Sequence, residues 1–205
     1  MSTIVTRLFE TYEHASMAVT DLETNGIPHS SISLVANNVD ERYSSVVPAT
    51  TEHHTAETAG AGAGTGATIG TVLGGGAGLL AGLGMLAIPG VGPVVAAGWL
   101  IATAVGAGVG AASGGLLGSL VGAGVSETDA HVYAEGVRRG GTLVTIRAED
   151  SQVAMVERIL DKHGPVDTTT RGEEYRAEGW SRFDEAAPAY RDPAARPVEP
   201  RMPIL

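Results

Sequence analysis

Histidine and carboxylate are the residues in this chain best suited to chemistry, and neither falls in a pattern that a reaction requires. The histidines are His14, His29, His53, His54, His131 and His163. His53 and His54 lie between Glu52 and Glu57, a donor set that suits a metal by type. Adjacent histidines on a helix point apart, however, and no H-E-x-x-H spacing puts two of them on one face. The segment reads as a solvated linker. Glu127, Asp129 and Glu135 are grouped, but the reading that suits them is a helix start followed by its solvated face. The chain has no cysteine, which excludes thiolate catalysis, disulfides and Cys-ligated zinc. No serine sits in a nucleophile elbow. The sequence therefore predicts no catalytic residue, no metal and no cofactor, and the chain is expected not to be an enzyme.

Glycine offers a third pattern. Gly62-Ala63-Gly64-Thr65-Gly66-Ala67 approaches a dinucleotide fingerprint. No strand is predicted before it and no acidic residue follows at the required distance. A G-K-[ST] run is missing from the whole chain. The glycines carry a different message in their order. Gly62, Gly66, Gly70, Gly74, Gly78 and Gly82 stand four apart. After Ile88-Pro89-Gly90-Val91-Gly92-Pro93 the spacing resumes as Gly98, Ala102, Gly106, Gly110, Gly114, Gly118 and Gly122. From 58 to 126 there is no Asp, Glu, Lys or Arg.

The spacing predicts two helices, 65–88 and 94–124, joined by a turn at Pro89, Gly90, Gly92 and Pro93. A glycine inside a helix costs about 1 kcal/mol relative to alanine. So many of them need compensation, and close backbone approach between helices supplies it. Four residues turn a helix by about 400°, so each ridge drifts by about 40° per step. A winding ridge needs several neighbours, which favours assembly with other copies. At about 1.5 Å per residue either helix also reaches the roughly 30 Å hydrocarbon core of a bilayer. Membrane lipid is therefore the alternative partner. Acidic residues flank the segment, so the positive-inside rule assigns no orientation.

The flanking sequence repeats a pattern. Ile4 to Phe9 reads as a strand, 10–25 as a helix, Gly26 as its stop and Ile32 to Val35 as a second strand. Further on, Leu143 to Arg147 reads as a strand, 151–163 as a helix, Gly164 as its stop and 166–170 as a last strand. A further helix is predicted at 127–140, with Ser126 as N-cap. Two such halves build a ferredoxin-like α+β domain, one antiparallel sheet with helices on one face. The predicted organisation is a first βαβ half at 1–48, a linker at 49–64 and the uncharged glycine-zipper hairpin at 65–125. A helix plus the second half follow at 126–170, and a polar, proline-rich tail at 171–205. Tyr175, Trp180 and Phe183 are candidate anchors for that tail.

The net charge of −10 argues against a nucleic-acid partner and leaves no basic patch for anionic lipid. Met1-Ser2-Thr3-Ile4 runs into Glu10 and Glu13 without a basic, then apolar, leader. The expected location is cytoplasmic or inner-membrane associated, without secretion by a signal peptide.

Several of these features occur together in one known family. Gly26-Ile27-Pro28 before Ile32-Ser33-Leu34-Val35, the Ile88-Pro89-Gly90-Val91-Gly92-Pro93 turn, Gly122-Ala123-Gly124-Val125, the helix with Ala130, Tyr133 and Glu135, and Gly140-Gly141-Thr142-Leu143-Val144 together resemble the bacterial general stress protein family (YflT-like, heat-induced). The resemblance runs from about 3 to 170. It implies expression under stress and supplies no reaction. The sequence thus points to a non-enzymatic, stress-associated protein that self-assembles through its glycine hairpin. The alternatives are a membrane-embedded hairpin protein, as a pore or membrane-stress element, and a small-molecule-sensing regulatory module.

Overall fold

A computed structural model describes residues 2–38, 84–88, 90–100, 115–188 and 190. The elements in chain order are β1 (Ser2–Phe9), α1 (Tyr12–Thr24), β2 (Ile32–Asn37), β3 (Gly84–Ile88), β4 (Gly92–Gly98), α2 (Leu116–Gly122), α3 (Glu127–Arg138), β5 (Thr142–Glu149), α4 (Val153–Lys162) and α5 (Thr168–Ala177). The fold is mixed α and β around one five-stranded sheet of order β1-β5-β2-β4-β3.

Every neighbouring pair in the sheet is antiparallel. β5 lies between β1 and β2, with Val5 and Ile32 both opposite Ile146. β1 and β2 therefore run parallel on either side of it, and α1 carries the chain across: a split βαβ unit. The two inner strands have the sequences for this position. The first five residues of β2 and the first five of β5 are all buried, the pattern of strands covered on both faces.

One face packs against α1 and α4, through Ala15, Val19 and Leu22 of the first and Val156 and Leu160 of the second, against Ile32, Leu34, Val144 and Ile146 of the sheet. The opposite face packs against α2 and α3, with Leu116, Leu120, Ala134 and Val137 meeting Leu8, Val35, Val94 and Leu143. Helices thus cover both faces rather than the single face expected. α3 lies close to the sheet because Gly136 has no side chain there. A Cβ at Gly136 would come within 2.3 Å of Leu8 Cδ2. Tyr133 of the same helix donates its hydroxyl to the Thr6 carbonyl at 3.0 Å, and burial pushes its phenol up to about 12.

Two predicted elements are corrected. The long helices expected at 65–88 and 94–124 do not reach the turn between them. Residues Gly84–Ile88 and Gly92–Gly98 are strands that extend the sheet beyond β2. The glycine spacing itself breaks here, since the positions that would continue it include Leu86 and Val94. Val94 and Val95 are fully buried, one on each face of the sheet. The turn between β3 and β4 uses left-handed backbone at Gly90 (φ 74°) and Gly92 (φ 95°), which glycine adopts without strain. Of the rest, Leu116–Gly122 is helical as expected, and 65–83 and 101–114 lie outside the described residues.

The second correction concerns 166–170, expected as the last strand of a ferredoxin-like sheet. A single backbone bond, Val166 N–H to Leu8 O at 2.7 Å, touches the β1 edge. Asp167 then caps α5 by accepting from Thr170 N–H at 2.7 Å. Threonine's β-branched shape suggested a strand, but a residue with a side-chain acceptor placed for an N-cap starts a helix instead. Among the described residues the full ferredoxin-like arrangement is therefore not formed.

Candidate functional site

A dense polar cluster forms at the end of α3. Its Ser126 N-cap and Gly140 (φ 107°) bound a helix whose last turn turns inward. Glu135 is 1% exposed, which corrects its expected place on a solvated face. Glu135 Oε1 accepts from Arg138 Nη1 at 3.0 Å and from Arg139 Nε at 2.7 Å. Arg139 also pairs with Glu178 and lies 4.2 Å from the Tyr175 ring centre. Burial alone would lower the Arg139 guanidinium, but its bonds to Glu135 and Glu178 outweigh that and hold it above its usual value. A buried charge of this kind is tolerated because its hydrogen bonds are met; losing one partner of such a pair costs about 3–5 kcal/mol.

The cluster anchors the segment that follows α5. Trp180 packs edge-on to Tyr175, with ring centres 5.7 Å apart. Phe183 is buried with Ile88, Val91 and Val94. Its backbone N–H donates to His131 Nδ1 on α3 at 3.2 Å. The turn of the β3–β4 hairpin lies directly beneath: a Cβ at Gly90 would sit 2.7 Å from both the Asp184 carbonyl oxygen and the Glu185 Cα. A Cβ at Gly115, which precedes α2, would sit 3.2 Å from Glu185 Oε1. Arg138 Nη2 donates to Pro188 O at 3.2 Å, and Tyr190 lies over both arginines at 5.6 and 5.3 Å.

A cleft of about 320 Å³ opens where α5 begins, beside the end of β1. Glu10, Asp167 and Glu174 line it, with Arg171 among them. Arg171 pairs with Glu10 and, at 3.1 Å, with Glu174, so these two carboxylates already hold a cation from the chain itself. Backbone and side-chain bonds from Thr170 hold the Asp167 carboxyl below its usual value. Among the described residues no group of three His, Cys, Asp or Glu side chains is arranged to hold a metal.

The other residues singled out by the sequence are dispersed. Gly118 and Gly122 belong to α2. Gly98 ends β4 with φ 101°, and a Cβ there would meet the Ile32 carbonyl at 2.3 Å. It is a close-packed strand glycine, which corrects its place in a helical ridge. Gly90 and Gly92 form the hairpin turn, and Pro93 sits in β4, its carbonyl accepting Asn38 N–H at 2.9 Å. His29 pairs with Glu23 at 3.2 Å and His163 with Asp21 at 2.9 Å, while His14 is exposed on α1. Gly62, Gly66, Gly70, Gly74, Gly78, Gly82, Pro89, Ala102, Gly106, Gly110, Gly114, His53 and His54 lie outside the described residues. The sequence places Arg138 and Arg139 in the last turn of a helix, but sequence reasoning missed their pairing with Glu135. Its signal was an acid three and four residues before two arginines, a helix-face pairing pattern. No protein family, curated protein or solved structure matches the chain.

Proposed function

We propose that the chain is a non-enzymatic protein that self-assembles through its glycine ridges, within a stress-associated family of the general stress protein kind. The observation that carries this reading is the orientation of α2. Leu116, Ser119 and Leu120 turn into the core. Gly122 faces open space, with nothing within 4 Å of a Cβ built there, and Val121 beside it is 42% exposed. The last ridge glycine thus sits on an outward face, where a neighbouring backbone can approach closely. Glu10 and Glu174 of the cleft and Glu135 of the α3 cluster are paired with arginines, and Asp167 caps α5, an arrangement that favours a structural role over acid–base work. The bilayer reading rests on 65–83 and 101–114 alone, since no helix among the described residues is long and apolar enough to cross a membrane.

Gly122→Leu tests the proposal without crowding the monomer, because leucine enters open space and raises helix propensity by roughly 1 kcal/mol. Light scattering should show the assembly falling to smaller species. An unchanged particle mass would overturn the reading.

A further inference from the structure

The segment 180–188, which turns at 184–187, binds to the rest of the molecule as a peptide ligand binds a receptor. Apart from Trp180, which rests on Tyr175, its anchors belong to elements far from it in sequence. Phe183 fills an apolar seat with Ile88 and Val91, and its N–H reaches His131 of α3. Asp184 and Glu185 lie on the bare backbone of Gly90, at the β3–β4 turn, and Glu185 also approaches Gly115. Arg138 holds the far end through the Pro188 carbonyl at 3.2 Å. The seat thus offers a peptide four things: a pocket for one aromatic ring, a side-chain acceptor for a backbone N–H, a glycine that admits main chain at contact distance and an arginine for a carbonyl.

The segment leaves α5 at a single glycine joint. Glu178 caps the helix, and Gly179 follows with φ 92° and nothing within 4 Å of a Cβ. A change of direction at Gly179 would release the Trp180 N–H from the Tyr175 carbonyl (3.0 Å) and the Trp180 ring from Tyr175, and glycine tolerates it conformationally. We infer that the seat is also a recognition surface for the 180–188 segment of a second copy, so that copies of the chain link by exchanging tails. Exchange re-forms the seat contacts of 181–188, since each seat receives the same segment it held before. It requires no new surface, which makes swapping an inexpensive route to oligomers. The interface adds to the glycine-ridge assembly proposed above and does not depend on it.

The test uses the full-length Phe183→Ala chain, whose own tail no longer fills the seat, and a fluorescent synthetic peptide spanning 176–190. Polarisation should show the peptide binding Phe183→Ala, with apparent affinity for the wild-type chain about tenfold or more weaker, because a resident tail occupies the seat. A Phe183→Ala peptide should bind neither. Tyr190→Ala loosens the resident tail without opening the core and should bind the peptide at an intermediate level, which covers the case in which Phe183→Ala does not fold. Excess wild-type peptide should lower the particle mass of the wild-type chain. Failure of the wild-type peptide to bind either variant, or binding with no change in particle mass, would overturn the inference. Gly122→Leu separates the two interfaces. Peptide binding retained in that variant while particle mass is unchanged defeats the ridge proposal alone. Loss of mass in Gly122→Leu with no peptide binding in the tail variants defeats tail exchange alone.

Discussion

The chain contains two strand–helix–glycine units that begin alike and end differently. In the first, β1 and α1 lead to Gly26 (φ 88°), Pro28 and the strand β2. In the second, β5 and α4 lead to Gly164 (φ 65°), Pro165 and the helix α5. Both glycines are in left-handed backbone just past a helix, the usual way such a helix stops. The turn therefore does not decide whether a strand or a helix comes next. Ile32, Leu34 and Ala36 face one core and Val35 the other, so β2 gains burial on both sides as a strand. The corresponding stretch after Gly164 offers Asp167, three threonines and Arg171. With no apolar face to bury, local capping by Asp167 prevails, and α5 buries little beyond Gly172 and Tyr175. Shape preference yields to burial where burial is to be had, and to capping where it is not.

The strongest test of that contrast substitutes the middle of each segment. Leu34→Ala removes a fully buried side chain from an inner strand and should cost about 2–5 kcal/mol in urea unfolding. Thr169→Ala, on the exposed side of α5, should stay within about 0.5 kcal/mol. Comparable losses at the two positions would mean that the first turn of α5 carries packing that its exposure does not suggest.

The shared turns allow a second, smaller test. Gly26→Ala and Gly164→Ala add a methyl into open space in both cases, so only backbone strain is felt. Each should cost about 1–2 kcal/mol. A clear loss at Gly26 with none at Gly164 would show that the second turn relaxes and would weaken the claim that the two stops are equivalent. Asp167→Ala comes next, at about 1 kcal/mol, with a loss of helical circular dichroism from α5. No change in that signal would leave the helix at 168–177 without its proposed cause.

The same physics governs how much of the molecule was legible in the sequence. β1, α1, β2, α3, β5 and α4 were readable because their apolar residues recur with a clear period and bury on one or both faces. The 84–98 region was not, because a run such as Gly92-Pro93-Val94-Val95-Ala96-Ala97-Gly98 has neither charge nor period to mark a strand, and it lies between two stretches whose glycines stand four apart. What makes it a strand is the open edge of β2, a partner brought from far away in sequence. The site at the end of α3 was half legible. The aromatic residues of the tail stood out by composition, but their seat joins the β3–β4 turn, His131 and Arg138, which no local pattern connects.

The smallest effect concerns the link between the two units. Asp21, in the last turn of α1, accepts from Lys162 Nζ and His163 Nε2 at the end of α4, both at 2.9 Å. The hydrogen bond from Lys162, then that from His163, holds its carboxyl below the usual aspartate value. A carboxyl depressed in the folded state stabilises fully above its unfolded pKa, and that contribution fades as pH falls through the folded pKa. The link is solvated, so its effect is modest and weakened by salt. Asp21→Asn should therefore unfold at a lower urea concentration than the wild type at pH 7 and at the same concentration once the pH is below the folded pKa. Leu34→Ala should instead keep its deficit across that range, because no proton is involved. A gap at Asp21→Asn that persists undiminished into acid would show that the two units are held together there by packing rather than by the carboxylate.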